Sequence, residues 1–263
     1  MADPAPFDAE RAAHALIAAR RSRRVLDRLS PDIAPRGLAD GIAAQIAVAR
    51  LSGAHPPAGF KIGATSRRMQ EYLGLPGPLA GFMAEAGLHG SGSTLSFASF
   101  LNAGVECELA VVLAQDLPPG PCSNAQAAAA VGELMAGIEV VENRYGPLEA
   151  LGSPTLVADQ VYHAGAILGA PYPDWRGLDL RNLAGNVSVN RQERGAGTGA
   201  DLLGDPMAAL AWLAASEEAK AFGGLRAGQV VMLGSVCPPI WLDSPAEITV
   251  QFAPLPAVTL SLV

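Results

Sequence analysis

An α+β fold is predicted for this chain: a mixed or antiparallel β core with a helical N-terminal part. Three observations lead there. Half of the 263 residues are apolar and 16% are charged, which supports a sizeable core and argues against disorder. The first 75 residues carry mostly helical apolar periodicity. From residue 93 onward, strand-like runs outnumber helical ones and do not alternate regularly with them, which argues against a doubly wound sheet. The chain is therefore expected to divide into a helical region, residues 1–75, wrapping a β-rich remainder, residues 76–263.

Residues 8–29 read as an amphipathic helix with Ala12, Leu16, Ala19, Val25 and Leu26 near its apolar stripe, ended by Ser30-Pro31. A second helix over 36–50 places Leu38, Ile42, Ile46 and Ala49 on one face. After the loop Ser52–Pro57, a short strand at 59–63 leads into a helix over 66–75. Glycine and proline make 76–92 a loop with little regular structure. Strands are expected at 95–97, 106–113, 136–141, 162–168, 183–189, 230–233, 248–252 and 258–263, with helices at 124–135 and 206–219. The second of these helices opens after Asp205-Pro206, where proline suits the first turn. Gly195-Ala196-Gly197-Thr198-Gly199-Ala200 lacks the Lys-Ser/Thr of a phosphate loop and reads as a flexible connection.

The formal net charge of −7 leaves no basic face for nucleic acid or anionic lipid. No apolar run reaches membrane-spanning length. Arg11–Arg28 is rich in Ala and Arg, as a transit peptide would be. However, Asp3, Asp8 and Glu10 precede it, and acids at the start with arginines at the end suit an ordinary helix dipole. Cys107, Cys122 and Cys237 have no metal or redox spacing, and so sparse a set suits a reducing cytoplasm.

The chemistry concentrates in acids set among apolar residues. Glu106 and Glu108 lie one residue apart in Val105-Glu106-Cys107-Glu108-Leu109, so a strand points both the same way. Two like charges on a half-buried strand repel, and a cation between them removes the penalty. All-carboxylate ligation favours a hard ion such as Mg²⁺, Mn²⁺ or Ca²⁺ over zinc. The alternative is a solvated edge strand with its acidic face outward. Glu139, inside Ala136-Gly137-Ile138-Glu139-Val140-Val141, is either a third ligand or the partner of a cation such as Arg144. Lys61, between Phe60 and Ile62, is either a snorkelling edge residue or a desolvated amine. Asp159, after an apolar stretch, is a turn or cap residue unless it is an active-site acid. His14, His55, His89 and His163 have no mutual ligand spacing, and no Ser/His/Asp or Cys/His set can be assembled.

These pieces together resemble a family. Gly59-Phe60-Lys61-Ile62-Gly63-Ala64-Thr65-Ser66 is similar to the "GYKIGLTS" element of the 2-oxopent-4-enoate hydratases and 4-oxalocrotonate decarboxylases of the fumarylacetoacetate hydrolase superfamily. Glu106-Cys107-Glu108 resembles their "E-x-E" pair, and Gly137–Tyr145 their "GIEVIDSRY". Val157-Ala158-Asp159-Gln160 resembles "VADN", Leu203–Leu213 resembles "LGHP…AVWLA", and Arg226–Ser235 resembles "L-x-x-GDIILTGS". The six elements occur in order between residues 59 and 235. Three positions depart from the pattern. Pro78-Leu79-Ala80-Gly81 stands where hydratases carry an acid in "P-D-F-G", Gln160 replaces Asn, and Gln229 replaces Asp.

The resemblance implies a mixed-sheet β roll of the fumarylacetoacetate hydrolase C-terminal type, with residues 76–263 as the metal-binding catalytic domain. It implies Glu106, Glu108 and Glu139 as ligands to one Mg²⁺ or Mn²⁺, with Lys61 and Asp159 as catalytic groups. Ser66, Arg144, Gln160 and Ser235 would contact substrate. The activity implied is that of a metal-dependent lyase on a small unsaturated 2-oxo acid in aromatic catabolism. Hydration of a 2-hydroxy-2,4-dienoate stands first, decarboxylation of a 4-oxalocrotonate-like diacid second, and a weakly active binding subunit of a hydratase–decarboxylase complex third. C–C bond hydrolysis would need a His–Glu pair, and no histidine lies near a matching motif. Desolvation of Lys61 would favour the neutral amine that base work needs. The apolar composition and the family together suggest a homo-oligomer.

Overall fold

The computed structural model describes residues 6–26, 28–146 and 151–263. Two helices open it, α1 (Ala9–Ser22) and α2 (Leu38–Leu51). Asp8 caps α1 by accepting the Arg11 amide. The helix was expected to run to residue 29 but stops at Ser22. Arg23 turns left-handed there and closes the last carbonyls. The chain then leaves so that the Leu26 amide can donate to the Arg144 carbonyl at 2.8 Å. Asp3, used in reading this helix, and position 27 of its expected span lie outside the described residues.

β1 (Gly59–Gly63) leads into α3 (Arg67–Leu73), which Ser66 caps. The segment 76–92, expected to be loop, contains β2 (Leu79–Met83) and β3 (Leu88–Gly90). β2 is wholly buried and pairs antiparallel with β1 along its length, so long-range pairing overrides the local breakers. β4 (Ser93–Leu95) and β5 (Ala103–Leu113) follow. α4 covers Asn124–Ala130 and gives way to β6 (Val131–Glu142), so the helix expected over 124–135 is half strand. Its Ser123–Gln126 capping box starts a helix, but the β5 partner claims Val131 onward. α5 (Ser153–Ala158), not foreseen as a helix, precedes β7 (His163–Leu168).

β8 (Ala184–Val189) and β9 (Gln192–Thr198) form a hairpin across Asn190 and Arg191, both with positive φ. The glycine-rich stretch read as a flexible loop is thus mostly strand. Its glycines serve close packing: a Cβ on Gly197 would lie 2.0 Å from the Val236 carbonyl oxygen. α6 (Pro206–Ala215) and α7 (Glu217–Ala221) replace the single helix expected over 206–219. Ser216 breaks the run in extended conformation and caps α7. β10 (Val230–Ser235), β11 (Ile240–Trp241), β12 (Ala246–Gln251) and β13 (Val258–Leu262) complete the chain.

Among the described residues these strands make two mixed sheets. One has the order β2-β1-β10-β5-β6-β7-β3, with β11 also on β5; the other runs β4-β13-β12-β8-β9. β1 therefore lies within the main sheet, parallel to β10, although it belongs to the N-terminal 75 residues. β5 is central, between β10 and β6, and not an edge strand. Val105, Cys107, Leu109 and Val111 join the core shared with the second sheet. The other face carries Glu106, Glu108 and Ala110, the last in a small cluster with Met83, Met135 and Met232. No helix among the described residues is long and apolar enough to cross a membrane.

Candidate metal centre and active site

Strand alternation brings the acids together. Glu106 on β5 lies directly opposite Glu139 on β6, and Glu108 lies opposite Gly137. Each of Glu106, Glu108 and Glu139 offers a carboxylate oxygen, and these oxygens lie within 4.8 Å of one another. Glu108 and Glu139 are completely buried, while Glu106 reaches a cavity. Glu108 Oε2 accepts the Gly234 amide at 2.8 Å, but Oε1 has no partner. Glu139 Oε1 meets Lys61 Nζ at 3.2 Å and His163 Nδ1 at 2.9 Å, while Oε2 has no partner. A buried unpaired carboxylate oxygen costs roughly 1–3 kcal/mol or more, so two in one cluster call for a cation. Three carboxylates in this spacing fit a hard divalent ion.

Gly234 presents its amide to Glu108 from a backbone with φ of 107°, and its missing Cβ would lie 2.5 Å from Thr65 Cγ2. A side chain there would strain the turn and push Glu108 off its donor.

The three acids are electrostatically unequal. Burial, then repulsion from Glu139, pushes Glu106 up to about 8. Burial, then Glu139 and Glu106, raises Glu108 well above the ordinary carboxylate range. Burial acts on Glu139 too, but Lys61 and His163 beside it prevail and bring it down to about 2. Glu139 thus favours its charged form, while the other two favour the protonated one.

Lys61 does not snorkel. It is 2% exposed, and its neighbours Phe60 and Ile62 are buried in the main core, so the amine projects toward the acids. Arg144, the alternative partner for Glu139, pairs instead with Glu142 at 2.7 Å and Asp159 at 2.9 Å. Contrary to the sequence reading, a histidine does stand beside the acids. Burial lowers the His163 pKa against the opposing pull of Glu139, which keeps the ring neutral with Nδ1–H donating to the carboxylate. Its signal was tertiary: β7 pairs with β6 and sets His163 opposite Val141, beside a register shift.

Asp159 joins a different buried set. It accepts from Arg20 Nε, from Arg144 Nη2 and from the Tyr145 hydroxyl, so both its oxygens are engaged. Burial raises its carboxyl, but Arg20 and Arg144 outweigh that and hold it below the usual range. Arg20, from α1, is a partner the sequence did not reveal. Gln160, Val161 and Tyr162 follow with φ of 60°, 53° and 67°, an arrangement that costs about 1–3 kcal/mol per residue and clusters at functional sites. Gln160 Nε2 donates to the Phe82 carbonyl at 2.9 Å, and its Oε1 has no partner.

Replacing Asp159 by Asn removes the carboxylate of Arg20 and leaves Arg144 with Glu142 alone, which costs about 3–5 kcal/mol or on the order of 10 °C in Tm. The Asp159 carboxyl is depressed in the fold, so its contribution is present above its unfolded value and lost as pH falls through the folded one. The Tm gap between wild type and variant is therefore expected to be widest near neutrality and to close in acid. A gap that widens below pH 4 in thermal melts contradicts this.

Two cavities flank the cluster. One of about 560 Å³ is lined by Glu106, Ser66, Ser235 and the apolar Ile62, Val236 and Trp241. The other, about 370 Å³, is lined by Arg20, Arg144, Gln160 and His163. The residues expected to bind substrate thus divide, Ser66 and Ser235 on one side and Arg144 and Gln160 on the other. Ser235 Oγ donates to the Cys237 carbonyl at 2.7 Å.

Residues 60–261 match the fumarylacetoacetate (FAA) hydrolase C-terminal family. The chain is 34% identical over 180 residues to a 2-keto-4-pentenoate hydratase from Burkholderia vietnamiensis, covering 68% of each. It is 27% identical over 201 residues to a 4-oxalocrotonate decarboxylase from Pseudomonas putida, covering 76% of this chain and 75% of the relative. The solved 4-oxalocrotonate decarboxylase from Pseudomonas putida G7, complexed with magnesium and adipate, superposes with a TM-score of 0.88 over 97% of both chains at 23% identity, a likeness of fold.

Proposed function

We propose that this chain, which belongs to the fumarylacetoacetate hydrolase C-terminal family, is a divalent-metal-dependent lyase acting on a small unsaturated 2-oxo acid. Its first reaction in this reading is hydration of a 2-hydroxy-2,4-dienoate to a 4-hydroxy-2-oxo acid in the breakdown of aromatic compounds. One observation carries it: two buried carboxylate oxygens without partners, Glu108 Oε1 and Glu139 Oε2, beside a lysine that is itself buried.

Glu106, Glu108 and Glu139 hold one Mg²⁺ or Mn²⁺ in this proposal. Such an ion, when bound, draws charge from the substrate's carboxylate and 2-oxo oxygens and so stabilises an enolate. Lys61 Nζ, buried beside Glu139, moves the proton on the carbons next to the 2-oxo group in this proposal. Ser66 and Ser235 offer hydroxyls to substrate from the larger cavity, and Arg144 and Gln160 do so from the smaller one. Asp159 acts through them, by anchoring Arg144 and the strained turn that follows. All three cysteines are free, which suits the cytoplasm. The chain works as a homo-oligomer or in a complex with a partner enzyme in this proposal.

Decarboxylation of a 2-oxo diacid is the second reading, and Leu79 favours it. Hydratases of the family carry an acid at this position. Leu79 is instead 4% exposed and packs in an apolar cluster with Val157 and Val161, and its own side chain has no group to orient a water. Both readings meet one test. Purified protein with Mg²⁺ is given 2-hydroxypenta-2,4-dienoate or 4-oxalocrotonate, and each is followed by ultraviolet absorbance. Turnover of neither substrate defeats the proposal.

Metal affinity is expected to rise with pH. Glu106 has a folded value of about 8 against an ordinary 4.5, so a metal must displace its proton below that value. For the same reason the metal-free protein loses stability as pH climbs from about 5 to 8, since the raised acid resists ionising in the fold. Added Mn²⁺ should restore most stability at the upper end. Calorimetric titrations that give a flat affinity between pH 6 and 8 would count against Glu106 as a ligand.

A further inference from the structure

We infer that Arg68 determines specificity in the larger cavity by binding a distal carboxylate, so that the preferred substrate is a 2-oxo diacid. This rests on the lyase reading above and narrows its substrate class.

The cavity is lined by both Glu106 and Arg68, so it joins the acid cluster to a cation. Arg68 is its only lysine, arginine or histidine. Its neighbour Arg67 serves as the internal contrast. Arg67 is 91% exposed in its side chain and pairs with Glu71 one turn along α3. Arg68, one residue on, is exposed as well, but it lines the cavity and enters no ion pair among the described residues. The one other acid on the wall is Asp201, and its Oδ2 already accepts the Thr198 amide at 2.8 Å within its own turn.

The rest of the wall tells the same story. Ile62, Val236, Pro238, Pro239 and Trp241 give it an apolar middle, suited to an unsaturated carbon chain. A 2-oxo acid with its head at the glutamates has room to extend its far end into this volume of about 560 Å³. A methyl or vinyl end gains nothing from a guanidinium. A carboxylate end gains a charge-assisted pair in the planar geometry arginine prefers. Ser66 and Arg68 sit two residues apart at the start of α3, so the segment that carries Lys61 into the site also carries the distal cation out of it.

The test uses unreactive 2-oxoadipate and 2-oxohexanoate, which differ only in the distal group. Both are titrated calorimetrically into full-length protein with Mg²⁺. Wild type is expected to bind the diacid about tenfold more tightly. In Arg68→Met that ratio should fall to about twofold, and Arg68→Lys should recover part of it. Equal affinities in wild type, or an unchanged ratio in Arg68→Met, overturn the assignment of Arg68 and leave the 2-oxo acid site standing. Binding of neither ligand instead overturns the lyase reading and the inference with it. Circular dichroism of each variant confirms that a lost preference is not lost folding.

Discussion

Glu108→Gln is expected to give a protein that folds at least as well as wild type without metal, yet neither binds a divalent ion nor turns over substrate. The two halves come from one observation. Glu108 is completely buried, accepts a single amide from Gly234, and has its second oxygen unpaired. Burial and two neighbouring glutamates raise its pKa well above the ordinary range, so the metal-free fold favours the protonated form. Protonating an ordinary carboxyl at neutral pH costs roughly 3 kcal/mol. Glutamine keeps the shape and the carbonyl acceptor for Gly234 and removes that cost, so Tm without metal should rise or stay level. The same change deletes one of the three proposed anionic ligands, and turnover should fall by about a thousandfold or more. A purely structural Glu108 predicts the reverse, a destabilised protein with activity in proportion to what remains folded. Melts with and without Mn²⁺, set beside turnover, separate the two.

The acid cluster was legible because its signal is local. Alternation alone places Glu106 and Glu108 on one face, and an acid in an apolar run marks Glu139. Sequence could not show that β5 is the centre of the sheet, and this decides between a solvated acidic face and a buried site. The errors share a cause. β2, β9 and the first half of β6 were hidden in Gly-, Pro- or Ala-rich stretches, and each is a strand because a neighbouring strand pairs with it: β1, β8 and β5 respectively. Arg20 and His163 were missed for a related reason. Arg20 looks like the basic end of a helix, and only the packing of α1 brings it to Asp159, 139 residues away. Side chains that act through tertiary neighbours leave no spacing to read.

Lys61→Met is expected to lower turnover by roughly 10²–10⁴-fold while leaving metal binding measurable. Methionine fills the tunnel of the lysine stem but cannot carry a proton or a charge. Lys61 sits at 2% exposure with its amine 3.2 Å from Glu139, which His163 also contacts at 2.9 Å. Two roles are therefore open to the amine: it moves a proton of the substrate, or it balances the charge of Glu139. They make different demands on the variant. If balance alone matters, the bound ion takes over that task, and the saturated enzyme should turn over almost as fast as wild type. The deficit would then lie in metal affinity. If Lys61 is the proton-moving group, saturating metal does not help, and kcat stays low at every metal concentration. The second outcome is expected, since the amine stands on the face of β1 turned to the acid cluster while Phe60 and Ile62 anchor the strand in the core. Without metal, the variant should also raise the Glu139 pKa from its depressed value, because His163 alone remains to hold the charge. Full kcat in metal-saturated Lys61→Met would remove the lysine from the chemistry and leave it as a counter-charge.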